Sequence, residues 1–194
     1  YDYPFFGRLL SFFHYQIIKR ATYIFSMSNS MSEQILSLTK RESIVIGNFV
    51  DEISLKKLVT QKLVKTKNIF RYVFIGSLTK RKNTIFLIEQ FNLLLKKHEN
   101  VRLEIVGNGP LFNANFKLIE ELNISKFVKM HGHMKNPYSI LLKSDIFVMP
   151  SFSEGISRLS LEALFFNKVC VMFDVDANQE IIKNGFNGFL SKNE

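Results

Sequence analysis

Cysteine, tryptophan and long apolar runs are scarce or absent in this 194-residue sequence. A single cysteine, Cys170, excludes a disulfide within the chain and favours a reducing, cytoplasmic compartment. Because Cys170 stands in an apolar run, residues 169–173, we expect a buried strand thiol rather than a nucleophile. No stretch of about 18 uncharged apolar residues occurs, so no membrane-spanning helix is predicted. The first residues also lack the small-residue cleavage site of a signal peptide.

What the sequence does contain is apolar core material and positive charge. Hydrophobic residues make up 46% of the chain, 20 of them Phe, so a packed globular core is expected. The net charge is +9 and the pI about 9.6. A nucleic acid, an anionic membrane surface, a phosphorylated substrate or simple solvation could each account for that charge. The basic residues form short groups that are not interleaved with aromatic residues, which argues against nucleic acid.

Short apolar segments alternate with amphipathic segments from about residue 71 onward. Strands are predicted at 72–75, 101–106, 127–131, 146–149 and 169–173, and helices at 83–98, 112–122, 138–143, 157–166 and 178–183. Short, almost purely apolar strands between amphipathic helices are typical of a doubly wound parallel sheet of the α/β class. Ligands of such sheets bind at the carboxyl ends of the strands. Functional residues are therefore expected within 76–83, 107–110, 131–134 and 150–158.

Residues 1–71 follow the pattern less regularly. Helices are predicted at 5–20 and 30–38 and strands at 23–26 and 44–46, and residues 56–71 are interpreted as a basic helix and connector. Gly107-Asn108-Gly109-Pro110 lacks the third glycine of a dinucleotide loop, so a plain turn is predicted. His131 and His133 have a spacing that suits a metal, but no third ligand is evident. A core or cleft-lining position is expected for both histidines.

Residues 150–164 carry the clearest chemical signal. Pro150 ends a predicted strand, Gly155 permits close approach of a ligand, and a helix follows. The N–H groups of Ile156, Ser157, Arg158 and Leu159 are expected to bind an anion such as a diphosphate at the helix start.

Two glutamates of this segment have a spacing that suits one cleft. Eight helical steps separate Glu154 from Glu162, which places them about 80° apart. Both carboxylates could then hold vicinal sugar hydroxyls, although ordinary surface charges remain an alternative interpretation.

The segment resembles the signature of retaining glycosyltransferases of family four, which have the GT-B fold. That signature is Ser-Glu-Gly followed by Glu-Ala, with seven residues between the glutamates. Five further segments resemble elements of the family in the same order: 46–51, 74–82, 103–110, 145–151 and 180–188. The resemblance covers about residues 40–192 and implies a Rossmann-like, carboxyl-terminal GT-B domain.

The resemblance also implies a domain organisation and an activity. Residues 1–45 would end the amino-terminal acceptor domain, and 46–194 would form the nucleotide-sugar-binding domain, truncated at its end. The activity would move a hexose from a nucleotide diphosphate sugar, above all a UDP-sugar, to a glycan or lipid-linked acceptor in bacterial surface polysaccharide synthesis. Contact with the inner face of the plasma membrane would fit the basic surface. We expect this fragment alone to transfer sugar weakly or not at all. Alternatives are a sugar-nucleotide epimerase of GT-B architecture and a non-catalytic basic binding module.

Roles for individual residues follow from the resemblance alone. Glu154 would contact the transferred sugar, and Lys82 would neutralise the departing diphosphate. Glu162 would bind the ribose hydroxyls, and His133 would lie near the base. Donor contacts are also implied for Gly76, Ser77, Gly155, Ile156, Ser157, Arg158 and Leu159. The resemblance implies neither a metal nor a cofactor.

Four positions depart from the family's pattern. Ser77 replaces a usual arginine, so Lys80 or Arg81 would compensate, or diphosphate would bind more weakly. Ile156 and Ser157 replace a common Phe-Gly pair. Arg158 adds a cation that is either a plain surface residue or a further phosphate or sugar contact.

Overall fold

The computed structural model describes residues 4–59 and 68–192, which divide into two compact units, 1–48 and 49–194. The smaller unit contains helices α1 (Pro4–Arg20) and α2 (Asn29–Thr39) and strands β1 (Phe25–Ser26) and β2 (Ile44–Val45). The two strands pair in parallel, and Ser28 caps α2 by accepting the N–H of Met31. Among the described residues, no helix is both long and apolar enough to cross a bilayer.

The larger unit is built on one sheet of six parallel strands. The strands are β3 (Phe70–Ile75), β4 (Val101–Val106), β5 (Val128–Gly132), β6 (Ile146–Met149), β7 (Val169–Phe173) and β8 (Gly188–Ser191). The helices are α3 (Glu52–Val59), α4 (Thr84–Leu95), α5 (Phe112–Glu121), α6 (Tyr138–Lys143), α7 (Arg158–Phe165) and α8 (Asn178–Ile181), with a 3-10 helix at Lys80–Lys82. The strand order is β5-β4-β3-β6-β7-β8. Chain direction across the sheet therefore reverses between β3 and β6, which is the switch point where such folds bind ligands.

Alternating side chains send the strands' apolar residues to both faces of this sheet. One core contains Phe74, Leu103 and Ile105 with residues of α4 and α5. The opposite core contains Val73 and Phe147 with residues of α3, α6 and α7. Helices thus cover both faces, and the predicted doubly wound α/β class is confirmed.

The sequence-based prediction was wrong at two places along this unit. Strand β8 was not predicted, because it is short and begins at a glycine. A Cβ at Gly188 would stand 2.3 Å from the carbonyl oxygen of Cys170, so only glycine lets β8 pair with β7. The observed elements also differ from the basic helix and connector predicted at 56–71. Helix α3 starts earlier than predicted, at Glu52, where the N–H of Ser54 donates to Asp51 Oδ1 at 3.0 Å. The predicted connector ends earlier, because β3 begins at Phe70. Residues 60–67 of that stretch lie outside the described residues.

Candidate active site

An ion pair joins the two loops that follow β3 and β6. Lys82 ends the 3-10 helix, and its Nζ donates to Glu154 Oε1 at 2.5 Å. The side chains are only 13% and 9% exposed, so most of their water has been removed. Because these loops flank the switch point, the pair lies where a doubly wound sheet offers its binding crevice.

The loop that carries Glu154 is held from both sides. Arg81 Nη1 donates to Glu154 Oε1 at 2.7 Å and to the carbonyl oxygen of Ser153 at 2.5 Å. The N–H of Phe152 donates to the carbonyl oxygen of Arg81 at 2.9 Å. On the other side, Asp176 Oδ2 accepts the N–H of Glu154 at 2.9 Å. The direction of the Glu154 carboxylate is therefore fixed by tertiary contacts.

The angular argument for Glu154 and Glu162 was wrong, because only Glu162 is helical. Helix α7 begins at Arg158, four residues after Glu154. Ser157 is the cap and its Oγ accepts the N–H of Ser160 at 3.4 Å, so that donor is occupied. The first-turn N–H groups of Arg158 and Leu159 have no acceptor within the helix and remain available by position.

Glu162 lines a polar cavity of about 430 Å³. Its side chain is 7% exposed and lies 3.5 Å from the Nε of Arg158. Burial raises the pKa of Glu162, while the Tyr138 hydroxyl, which donates to the carboxylate, and Arg158 both lower it. The other residues that line this cavity are Asp51, Ser54, Leu55, Leu58, Lys135 and Asn136. Glu162 is thus a desolvated acceptor that faces a space of ligand size.

A second cavity, of about 420 Å³, opens at the carboxyl ends of β3, β4 and β5. It is lined by Ile75, Gly76, Ser77, Val106, Gly107, Asn108, His133, Met134 and Pro137. The N–H of Gly76 donates to Val106, and the N–H of Gly107 donates to Gly132, so adjacent loops are tied together. Gly107 and Asn108, the first two residues of the turn predicted at 107–110, also line this cavity.

The structure separates the predicted site residues into neighbouring groups. The cavity at the carboxyl ends of β3, β4 and β5 is lined by Gly76, Ser77 and His133. The polar cavity is lined by Arg158 and Glu162. The segment 133–138 connects the two cavities, because some of its residues line one cavity and the others line the second. Glu154 lies in the ion-pair cluster with Lys82 and Arg81, immediately before Gly155 and the residues that lead into α7.

Residues 56–194 match the family model of glycosyl transferases group 1. The chain belongs to this family.

The relatives that this chain matches are much longer proteins than the chain itself. It is 34% identical over 140 residues to an uncharacterized glycosyltransferase of Methanocaldococcus jannaschii, covering 70% of this chain and 34% of that protein. It is 28% identical to the UDP-Gal:alpha-D-GlcNAc-diphosphoundecaprenol alpha-1,3-galactosyltransferase of Escherichia coli, covering 75% of this chain and 38% of the relative. The chain thus spans little more than a third of these relatives' length.

A solved structure shares the fold of this chain. It is that of a Staphylococcus aureus TarM variant in complex with fondaparinux, alpha-GlcNAc-glycerol and UDP. The TM-score is 0.78 at 24% identity, over 92% of this chain and 36% of TarM. The predicted glycosyltransferase relationship is confirmed at the level of group 1, and the predicted GT-B type of fold is confirmed.

Several contacts in this chain were not anticipated from sequence. Asp176 follows Glu154 by 22 residues and no motif marked it. His131 was singled out for its spacing, but its contact with Glu104 was not foreseen: His131 Nε2 lies 2.6 Å from Glu104 Oε2. The other carboxylate oxygen of Glu104, Oε1, accepts from Arg71 Nη1 at 3.0 Å. Within the described part of the chain, no group of three or more His, Cys, Asp or Glu is arranged to hold a metal ion.

Proposed function

We propose that the chain supplies the donor-binding half of a retaining glycosyltransferase. Its donor is a UDP-hexose, and its acceptor is a glycan or lipid-linked sugar in bacterial surface polysaccharide synthesis. The observation that carries the proposal is the Lys82–Glu154 pair at the switch point, beside two cavities at the same edge of the sheet. The E. coli relative is named for a UDP-sugar donor and a diphosphoundecaprenol acceptor, which supports this class.

Each part of the donor has a matching group in this proposal. The Glu162 carboxylate accepts from the ribose hydroxyls, since it is desolvated and faces a cavity. Ser77 and His133 stand on the second cavity, where the base and phosphates enter. The first-turn N–H groups of Arg158 and Leu159, with the helix dipole of α7, hold phosphate oxygens.

Catalysis in this proposal depends on charge. Negative charge grows on the diphosphate as the sugar leaves, and the Lys82 ammonium stabilises it more strongly in the transition state than in the ground state. Glu154 contacts the transferred sugar, and its carboxylate is held in place by ion pairs with Arg81 and Lys82. The cationic side chains supply the neutralising charge, so the proposed reaction needs no metal ion or other cofactor.

The test begins with nucleotide binding by the 194-residue chain. Thermal shift and titration calorimetry with UDP, GDP and ADP should show stabilisation by UDP, because a ligand that binds only the folded state stabilises it. Glu162→Ala should remove the UDP effect, while Glu52→Ala, at an exposed position of α3, should preserve it. Absence of binding by all three nucleotides, or equal binding by Glu162→Ala, would contradict the proposal.

Stereochemistry is tested separately from binding. With the full-length protein, NMR of the product should show the anomeric configuration of the donor retained. We expect the 194-residue chain alone to transfer sugar weakly, because the acceptor side of the cleft would come from sequence beyond the residues that resemble the donor domain. Normal turnover by this chain would contradict that expectation. Epimerised donor without any acceptor would instead favour an epimerase.

Peripheral contact with the inner membrane face is part of the proposal, and α1 supports it. Phe12, Phe13 and Ile17 are exposed on this helix, which ends in Lys19 and Arg20 and has no acidic residue in its first turn. Apolar and basic groups on one helix favour an anionic bilayer surface. The protein should co-sediment with vesicles containing phosphatidylglycerol. The double substitution Phe13→Ser and Ile17→Ser should reduce the fraction of protein that co-sediments. Equal sedimentation of that variant would contradict the assignment.

A further inference from the structure

Two cations converge on a single oxygen at the base of the site. Arg81 Nη1 and Lys82 Nζ lie 2.7 and 2.5 Å from Glu154 Oε1. One carboxylate can balance only one of these charges. Asp176 contributes its carboxylate to the backbone N–H of Glu154, and exposed Lys80 adds a third cation next in sequence. Cationic side chains therefore outnumber carboxylates here, and the excess positive charge favours an anion.

The two cations differ in how they meet solvent. The Lys82 side chain is 13% exposed, whereas the Arg81 side chain is 50% exposed. A guanidinium has five N–H donors in a planar fork, so it can keep one contact and still bind a phosphate through another edge. Arg81 can therefore change partners by rotation of its head while the backbone stays in place.

Position 77 supplies no positive charge beside Lys82. Ser77 stands on the cavity wall beside Gly76 and carries no charge. A Cβ built on Gly76 would lie 3.8 Å from the Cε of Lys82, so this part of the wall borders the stem of the lysine. A positive group that assists Lys82 must therefore come from elsewhere, and Arg81 already shares the oxygen that Lys82 contacts.

We propose that Arg81 is a second cation for the donor diphosphate, exchanging its contact with Glu154 for the phosphate that carries the sugar when donor binds. The exchange leaves the Glu154 carboxylate with one cation fewer and more able to accept from sugar hydroxyls. Diphosphate binding and sugar binding are thereby coupled through one oxygen atom. This inference rests on the proposed donor-binding function.

A purely mechanical role for Arg81 makes a different prediction. As a clamp, Arg81 would hold the loop through its contact with the Ser153 carbonyl oxygen. The bond from the Phe152 N–H to the Arg81 carbonyl involves backbone only and survives any substitution at 81. Loss of a clamp would weaken UDP and UMP alike, whereas loss of a phosphate ligand would weaken UDP selectively, because UMP lacks the terminal phosphate.

The experiment measures UDP and UMP affinity of the 194-residue chain by calorimetry. Arg81→Gln keeps a donor for Ser153 but removes the charge, and it should weaken UDP by about tenfold, the scale of one charge-assisted hydrogen bond, with UMP changed by less than about threefold. Arg81→Lys should stay within about threefold for UDP. Ser77→Arg added to Arg81→Gln should restore most of the UDP affinity, and Lys80→Gln, which removes the neighbouring exposed charge, should weaken UDP less than Arg81→Gln does.

Each outcome separates the two proposals. Equal losses for UDP and UMP in Arg81→Gln, or no loss for either, would overturn the role of Arg81 while leaving the donor site intact. A Lys80→Gln effect as large as that of Arg81→Gln would also overturn it, since the charge would then act without specific contact. If the unsubstituted chain binds no nucleotide, the proposed function itself fails.

Discussion

Gly107 lies so close to Gly76 that a Cβ at position 107 would stand 1.8 Å from the Gly76 carbonyl oxygen. The two glycines follow the adjacent strands β3 and β4, and both line the cavity at the carboxyl edge of the sheet. Gly107 also has a φ of +143°, a conformation that side chains disfavour. The cavity wall therefore depends on the absence of a side chain at this position.

Gly107→Ala should lower the free energy of unfolding by about 3 kcal/mol or more, because strain and a backbone clash act together. The measurement is urea denaturation followed by circular dichroism. Gly185→Ala is the control: its φ is +79°, but nothing lies within 4 Å of the added carbon. That variant should lose only about 1 kcal/mol, the cost of the backbone conformation alone. Similar losses in the two variants would show that the contact with Gly76 is not tight.

Glu162→Gln should stabilise the protein at neutral pH. Burial raises the pKa of Glu162, so the folded state holds its proton more tightly than the unfolded chain does. Wild-type stability should therefore fall as the pH rises from 4.5 through the folded pKa. Glutamine does not ionise, and the advantage of the variant should vanish below pH 4.5. Thermal unfolding from pH 4 to 8 measures this difference, and a constant offset at every pH would contradict the assignment.

Tyr138→Phe should move the acid limb of UDP binding to higher pH. The Tyr138 hydroxyl donates to Glu162 and lowers the pKa of that carboxyl, which burial raises. Without the hydroxyl, Glu162 takes up its proton at higher pH, and the proposed ribose contact is lost sooner on acidification. Three charged side chains line the same cavity as Glu162 and Tyr138. They are Arg158, on the same helix as Glu162, and Lys135 and Asp51, on other segments.

Calorimetric UDP affinity measured from pH 5 to 8 provides the test of Tyr138. A purely structural role would lower affinity by the same factor at every pH. An unchanged midpoint in Tyr138→Phe would show that its hydroxyl does not act on Glu162. Tyr72→Phe is the control, since burial also raises the pKa of Tyr72, which packs against Phe91 in the opposite core.

The sequence correctly predicted those strands and helices whose own residues show a clear pattern of apolar side chains. Strand β4 was predicted at 101–106 and lies at Val101–Val106, because its apolar residues sit on a buried strand bounded by glycine. Strand β8 was missed because its pairing depends on Gly188 fitting against Cys170, which only the assembled sheet reveals. Local pattern identifies elements, and tertiary fit decides the marginal ones.

The candidate site shows the same division between local and tertiary information. The motif around Glu154 and Glu162 could be found from its residue types and spacing. The direction of Glu154 could not, since it is fixed by Lys82, 72 residues away, and by Asp176, 22 residues away. Likewise, no periodicity indicates that Tyr138 donates to Glu162. Contacts between loops depend on how the strands are ordered, and strand order is not written in any single segment.

Lys168→Met should destabilise the larger unit by about 2 kcal/mol, because two carbonyl groups lose a charged donor. The Lys168 ammonium is buried and donates to the carbonyl oxygens of Leu142 and Ser144, at 2.8 and 2.6 Å. It thereby ties the end of α6 to the start of β7. Lys143→Met, at an exposed position of the same helix end, should change stability by less than about 0.5 kcal/mol. Equal effects in urea denaturation would contradict the anchoring role.

Cys170 should be inert in the folded protein and reactive once the sheet opens. Its side chain is fully buried in β7, and burial raises its pKa to about 12, so almost no thiolate forms at pH 8. Reaction with a disulfide reagent such as Ellman's should then be slow in buffer and complete within the mixing time in denaturant. Because labelling requires β7 to separate from its neighbours, its rate reports the opening of this half of the sheet. Lys168→Met should speed it by weakening the β7 start, whereas Lys143→Met should not. Rapid labelling of the native protein would show that Cys170 is accessible and that β8 does not cover it.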